Sequence, residues 1–445
     1  MQAEERKYKM NKKMKTILAA LLVLLLPLLG CAETAGPKAG YTLDRVVVLS
    51  RHNIRSPFTN DDSLLADITS HTWFKWTSRS SELSLKGAIL ETELGQYFRQ
   101  WLEDAGLFPE NWQPDEKAVR LYANAKQRTQ ATARYFSAGL FPVSVVPIEM
   151  HAPYDTMDDT FWPKLTFVSD TYCQDALAEI AALGGEKGMK GYSERLKDAI
   201  SLVMDITDME EREAYQSGKY GDLLNDETVI TLKLNEEPYM SGPIKVATLV
   251  ADALKFQYYE ETDEQKAAFG HEMTREDWLA VCSIVETYGE MLVTAPMVAV
   301  NVAHPLLQEM KHELEQEGRV FSFLCGHDSN LASVLAALEA EDYELPNTIE
   351  PKTPIGGKLT FERYLDADGK AWYAVSMIYQ STEQLRSCTQ LSLENPPMKE
   401  PIFFREIETN ADGLIAEADL LNRIQEAIDA YDELTEEYAE LDKAA

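Results

Sequence analysis

Basic residues, cysteine and long apolar runs are all scarce in this chain. Lysine and arginine number 42 against 74 aspartate and glutamate in 445 residues, a formal net charge of −32. A surface of that sign repels nucleic-acid backbones and anionic lipid headgroups, so no nucleic-acid partner is expected. The five cysteines form no Cys-x-x-Cys pair and stand at no zinc-ligand spacing with histidine, and no metal or other cofactor is expected. Four of them, Cys173, Cys282, Cys325 and Cys388, admit three disulfide connectivities. Their wide spacing rules out a compact disulfide scaffold, selects no bridge, and leaves Cys325 equally suited to a buried free thiol. No glycine-rich loop for nucleoside triphosphates occurs. The stretch from Glu408 to Asp419 lacks the first Asp and final Glu of a calcium loop, and reads as a turn and helix start.

The one sustained apolar run, residues 17 to 29, follows Arg6, Lys7, Lys9, Lys12, Lys13 and Lys15. Thirteen residues are too few for a permanent span, which takes about 20, so the segment reads as a secretory signal. Leu28-Leu29-Gly30-Cys31 resembles a bacterial lipobox, in which Cys31 is lipidated and becomes the first mature residue. Removing residues 1 to 30 deletes six basic and two acidic side chains and moves the charge from −32 to −36. The mature protein is therefore expected outside the cytoplasm, periplasmic or on the cell surface, held to a membrane through the lipid on Cys31. Met10 and Met14 serve equally as starts.

What is present concentrates at strand ends. Val46-Val47-Val48-Leu49 reads as a buried strand and is followed within one residue by Arg51-His52-Asn53-Ile54-Arg55-Ser56-Pro57. Guanidiniums match phosphate oxygens two at a time, while a histidine between such cations is pushed toward its neutral, nucleophilic form. The apolar run 320 to 325 is likewise followed by Gly326-His327-Asp328-Ser329-Asn330, and the strand-like 119 to 123 by Asn124-Ala125-Lys126-Gln127-Arg128-Thr129. Ligands in open α/β sheets bind at the carboxyl ends of strands, so these distant clusters are expected to face one pocket.

Strand patterns at 44 to 50, 117 to 123 and 144 to 149 alternate with helical ones at 84 to 104 and 127 to 138, the latter ending at Gly139. Helical patterns then dominate at 172 to 183, 191 to 217, 243 to 260, 275 to 291 and 294 to 315. Strands return at 319 to 325, 357 to 364 and 371 to 379. The implied α/β fold is a mostly parallel sheet with helices on both faces and an inserted helical cap. Its expected divisions are a leader (1–30), a tether (31–40), core (41–149), cap (150–315), core (316–410) and an acidic carboxyl-terminal helix (411–445).

Arg-His-x-x-Arg-x-Pro early, Arg-Thr in the middle and His-Asp late resemble the histidine acid phosphatases, a phosphoglycerate-mutase-like fold. Asn53 in place of the commoner Gly, with Met157-Asp158-Asp159-Thr160-Phe161, Gln257-Tyr258-Tyr259-Glu260, Thr353-Pro354-Ile355-Gly356-Gly357-Lys358 and Gln384-Leu385-Arg386, is similar to the bacterial subgroup acting on glucose 1-phosphate. The resemblance spans residues 41 to 430. It implies that Arg51, Arg55, Arg128 and His327 hold the phosphoryl group, that His52 attacks phosphorus, and that Asp328, its pKa raised by burial, protonates the leaving group. Asn53 is expected to narrow the pocket or reach the substrate. Rival chemistries lack their signatures: no cysteine has an arginine six residues on, and Asp366-Ala367-Asp368 runs into the turn Gly369-Lys370. Phytate hydrolysis and non-catalytic phosphosugar binding are the alternatives.

Overall fold

The computed structural model describes residues 39–58, 62–115 and 117–444; the leader, Cys31 and the tether to residue 38 lie outside them. Strand β1 (Tyr41–Arg51) is the spine of the molecule, its last six residues all buried. Within it, Val46-Val47-Val48-Leu49 is apolar without alternation because both faces of the sheet are covered. Its companions are β2 (Val119–Ala123), β3 (Ile148–Glu149), β4 (Phe321–Gly326), β5 (Lys358–Asp366), β6 (Ala371–Tyr379), β7 (Met398–Pro401) and β8 (Ile415–Ala416). They stand in the order β8-β6-β5-β1-β4-β2-β3, with β7 also on β6.

The α/β class is as expected, but the parallel pairing is confined to one half. β1, β4, β2 and β3 run parallel, whereas β5 to β8 pair antiparallel. The reason lies in a short connection: Asp366 accepts from the backbone N–H groups of Asp368 and Lys370 and closes a hairpin between β5 and β6 too tight for a crossover helix. In the parallel half, Arg51 is level with Gly326, and Ala123 with Cys325. Three carboxyl ends thus open side by side, with neighbouring strands about 4.8 Å apart.

Helix α1 (Leu85–Asp104) begins after Ser84, whose side chain accepts from the Gly87 N–H. Helix α2 (Gln127–Leu140) passes through Gly139 instead of stopping there. That glycine serves a helix crossing: a Cβ on it would lie 2.2 Å from the Thr92 carbonyl oxygen of α1, and one on Gly95 2.2 Å from that of Phe136. Of the strand expected at 144 to 149, only Ile148 and Glu149 pair, since Pro142 and Pro147 bring no N–H to a ladder.

Helices α3 (Asp170–Leu183), α4 (Met189–Ile206), α5 (Pro243–Glu260) and α6 (Arg275–Val293) share an apolar core that includes Tyr192, Ile200, Ala251, Leu254, Trp278 and Ile284. The expected helix at 191 to 217 stops at Ile206, where the Thr207 hydroxyl turns back onto the Val203 carbonyl and Asp208 takes φ 49°. Helix α7 (Pro296–Glu315) joins two cores: Val298 and Val302 pack with the helices, Ala303, Leu306 and Met310 against the sheet. Helix α8 (Asp328–Ala337) follows β4, and α9 (Glu417–Ala444) buries Leu420, Ile424 and Ile428 against the sheet's core. The cysteines among the described residues are unpaired, Cys282 and Cys325 being buried.

Candidate active site

At the end of β1 the backbone leaves its ladder and is caught on both sides. The N–H of Arg51 donates to the Gly357 carbonyl (2.9 Å), that of His52 to Gly326 (3.1 Å), and the N–H of Gly356 to the His52 carbonyl (3.1 Å). His52 is only 3% exposed, and its Nδ1–H donates to the Asn53 carbonyl at 2.8 Å, so the lone pair is on Nε2. Burial first, then Arg128, His327, Arg55 and Arg51, hold its pKa well below that of an ordinary histidine. The ring is a neutral base with its free nitrogen opposite the proton.

His327, 5.5 Å from His52 between ring centres, is fixed in the other sense. Asn124 accepts from the Asp158 N–H through Oδ1 (2.9 Å), so its Nδ2 donates to His327 Nε2 (2.7 Å) and the imidazole proton is on Nδ1. One histidine thus presents a lone pair and the other an N–H. Burial, with Arg128 next, also keeps the His327 pKa well below the usual value.

Arg51 and Arg55 are strung on a chain of alternating charge that is buried except at its Asp328 end. Arg55 meets Asp252 at 3.0 Å, Asp252 meets Lys255 at 3.2 Å, Lys255 meets Glu350 at 2.9 Å, Glu350 meets Arg51 at 2.8 Å, and Arg51 meets Asp328 at 3.2 Å. A buried charge without partners costs several kcal/mol, about 3–5 when one partner of a pair is removed. The carboxylates are therefore what allow two arginines and a lysine to stay charged away from water. The Arg55 guanidinium also lies over the rings of Phe58 (4.1 Å) and Phe256 (4.6 Å).

Even so, the donors are not all used. The Nε–H groups of Arg51, Arg55 and Arg128 are buried without a hydrogen-bond partner. Arg319 and Arg423 also have Nε groups without a hydrogen bond, but each of those lies within 3.5 Å of a carboxylate. Arg128 has no ion pair among the described residues; burial and the neighbouring Arg55 push its pKa down to about 10. Three spare guanidinium donors and one unpaired cation call for an anion.

The structure brings His52, Arg51, Arg55, Arg128, His327 and Asp328 together and changes two expectations. Asp328 is half open, its side chain 45% exposed. Burial alone would raise its pKa, but Arg51, Lys255, His327 and Arg55 outweigh burial and hold the carboxyl well below the usual range. With these cations around it the group is a carboxylate, and an anion that engaged the same cations would shift the balance toward the protonated form. Asn53 does not reach toward a substrate. It is fully buried, its Nδ2 donating to Glu91 Oε2 (2.9 Å) and its Oδ1 accepting from the Ile54 N–H (2.8 Å).

Sequence reasoning missed Asp252, Lys255, Glu350 and Glu91. Asp252 and Lys255 did leave a signal: two charges inside α5, where almost every neighbour is apolar and buried, need each other or a third group. Glu350, in a loop without periodicity, leaves none.

Among the described residues, the unpartnered guanidinium donors gather around a neutral imidazole that offers a lone pair, an arrangement that suits an anionic phosphoryl group. Comparison with known proteins makes the class specific. Residues 42–380 match the model of the histidine phosphatase superfamily (branch 2), and the chain belongs to that family and is a phosphomonoesterase. It is similar to a glucose-1-phosphatase of Providencia rettgeri, 33% identical over 417 residues, 92% of this chain and 97% of that one. A glucose-1-phosphatase of Salmonella typhimurium is 32% identical over 404 residues (90% and 96%), and phytase AppA of Escherichia coli 27% over 434 (93% and 98%). Among solved structures, a Hafnia alvei phytase in complex with tartrate shares the fold, with a TM-score of 0.79 at 23% identity, over 88% of this chain and 98% of that one.

Proposed function

We propose that this protein is an exported acid phosphatase that hydrolyses sugar phosphates such as glucose 1-phosphate through a phosphohistidine at His52. The three unpartnered Nε–H groups around a neutral imidazole carry the reading. Arg51, Arg55, Arg128 and the Nδ1–H of His327 hold the phosphoryl oxygens and stabilise the charge they gather in the transition state. The Nε2 lone pair of His52 forms the bond to phosphorus as the ester P–O bond breaks, and Asp328, protonated once the bound ester offsets its cations, gives its proton to the departing oxygen. Asp328 then takes a proton from water, whose oxygen attacks phosphorus and returns the electron pair to Nε2, releasing inorganic phosphate.

The substrate choice is supported by the names of two relatives and by the rim: Asp155 and Glu237 lie near enough to Arg128 to favour its charge, and such acids disfavour a hexakisphosphate. Phytate hydrolysis is the second reading, favoured by the phytase relative. The helical insertion between residues 150 and 315 would wall the pocket, and the leader with Cys31 would carry the protein out of the cytoplasm and anchor it. The test is His52→Ala with each ester in turn. Hydrolysis should fall by more than about 10⁴-fold, and wild-type protein quenched during turnover of isotopically labelled ester should carry acid-labile phosphate. An active variant, or wild-type protein that is never labelled, overturns the mechanism, and the ratio of rates on the two esters decides between substrates.

A further inference from the structure

Directly behind the nucleophile lies a second ion pair that the mechanism above does not use. Lys358 and Glu91 are both 0% exposed, with Nζ and Oε1 2.7 Å apart. Glu91 gives its other oxygen to the Asn53 side-chain amide at 2.9 Å. Asn53 is then pinned at every polar atom: its N–H donates to Thr132 Oγ1 (3.2 Å), its Oδ1 accepts from Ile54 (2.8 Å), and its carbonyl takes the His52 proton (2.8 Å). Lys358 Nζ also donates to the Gly356 carbonyl (3.1 Å), and Gly356 donates to the carbonyl of His52 (3.1 Å). Gly356 sits at φ +65°, and a Cβ there would lie 2.6 Å from the Asn53 amide nitrogen, so the loop and the asparagine fit only as a pair.

We infer that Asn53, Glu91 and Lys358 are positioning residues that fix the tautomer of His52, by holding the one carbonyl that keeps the proton on Nδ1 and leaves Nε2 to attack. The inference rests on the phosphohistidine reading. A neutral imidazole carries its proton on whichever nitrogen has the better acceptor. A carbonyl free to swing away lets the proton move to Nε2, where the ring cannot attack. Outer-layer groups that orient a metal-binding imidazole contribute about 10- to 100-fold in activity, and the same scale is expected for groups that orient His52.

The test compares Asn53→Gly, which deletes the link, with the exchange Asn53→Asp/Glu91→Gln, which keeps one carboxylate, one amide and the lysine across the same contact. For Asn53→Gly, single-turnover phosphorylation per folded molecule should fall about tenfold or more with KM changed less than threefold. The ¹⁵N resonances of His52 should then show loss of the Nδ1–H form, and the exchange variant should recover most of the rate lost by its single substitutions. A residue with only a structural role would lower stability and leave tautomer and rate untouched. A wild-type rate and tautomer in Asn53→Gly overturn the inference, as does an exchange variant no better than its singles. If the wild-type protein itself never carries phosphohistidine, it is the proposed function that fails instead.

Discussion

Replacing Glu350 with glutamine tests how the guanidinium clamp is held. The carboxylate sits among donors only: Arg51 at 2.8 Å, Lys255 at 2.9 Å, the Tyr259 hydroxyl at 2.9 Å and the Ile355 N–H at 3.2 Å. Burial works against its charge, but Lys255 and Arg51 prevail and bring its pKa from 4.5 down to about 2. A shift of that size corresponds to about 3 kcal/mol of folding stability at neutral pH. Glutamine removes the charge and turns an NH₂ toward a donor, so the variant should be less stable by about that amount. Because the folded pKa lies below the unfolded one, the stabilisation is complete above about pH 4.5 and is lost as pH falls toward 2. Urea unfolding followed by tryptophan fluorescence, run from pH 7 to pH 3, reads the gap between the two proteins. It should hold steady down to pH 5 and shrink to about half at pH 3. A gap as large at pH 3 as at pH 7 would refute the idea that the charge of Glu350 supports the clamp.

Inorganic phosphate should stabilise the protein by about 2.7 kcal/mol at a hundred times its Kd. In Arg128→Met that Kd should rise about 10- to 100-fold while the unliganded protein loses no stability, since Arg128 has no ion pair among the described residues; calorimetric titration and urea unfolding check the two halves. Asp328→Asn should cost about 10²- to 10⁴-fold in kcat on alkyl and sugar phosphates and far less on p-nitrophenyl phosphate, whose leaving group departs without a proton; equal losses on both would remove Asp328 as the acid. The wild-type pH profile should peak on the acid side, because the depressed His52 pKa keeps that ring neutral there while Asp328 can still be protonated, and a rate rising steadily into alkali contradicts the pairing.

Much of the site could be read in the sequence because strand ends announce themselves. The run Val46-Val47-Val48-Leu49 has no polar alternation and so must be covered on both faces, and whatever follows such a strand opens onto a common edge. Helix α5 was legible to the residue, from 243 to 260, with a glycine before it and proline at its first position. Elsewhere one residue type served two purposes. Gly139 has the composition of a helix stop but is there for the crossing of α1 and α2, which only the three-dimensional approach reveals. Asn53 was visible as a departure from glycine, yet its direction was not, because Glu91 lies 38 residues away on a different element. The electrostatic state of Asp328 was misjudged for a similar reason: proximity to Arg51 and Lys255 is a property of the fold and not of the His-Asp pair.

The buried ion-pair chain also sets a proton balance. Among the groups of this ion-pair chain and the adjoining Arg128, the four cations Arg51, Arg55, Lys255 and Arg128 exceed the three carboxylates Asp252, Glu350 and Asp328 by one positive charge. A doubly ionised monoester brings two negative charges, so its arrival overshoots neutrality by one. The cheapest correction is to draw a hydrogen ion from solvent onto the half-open Asp328, so in the proposed reaction the acid would be recruited by the substrate rather than stored beforehand.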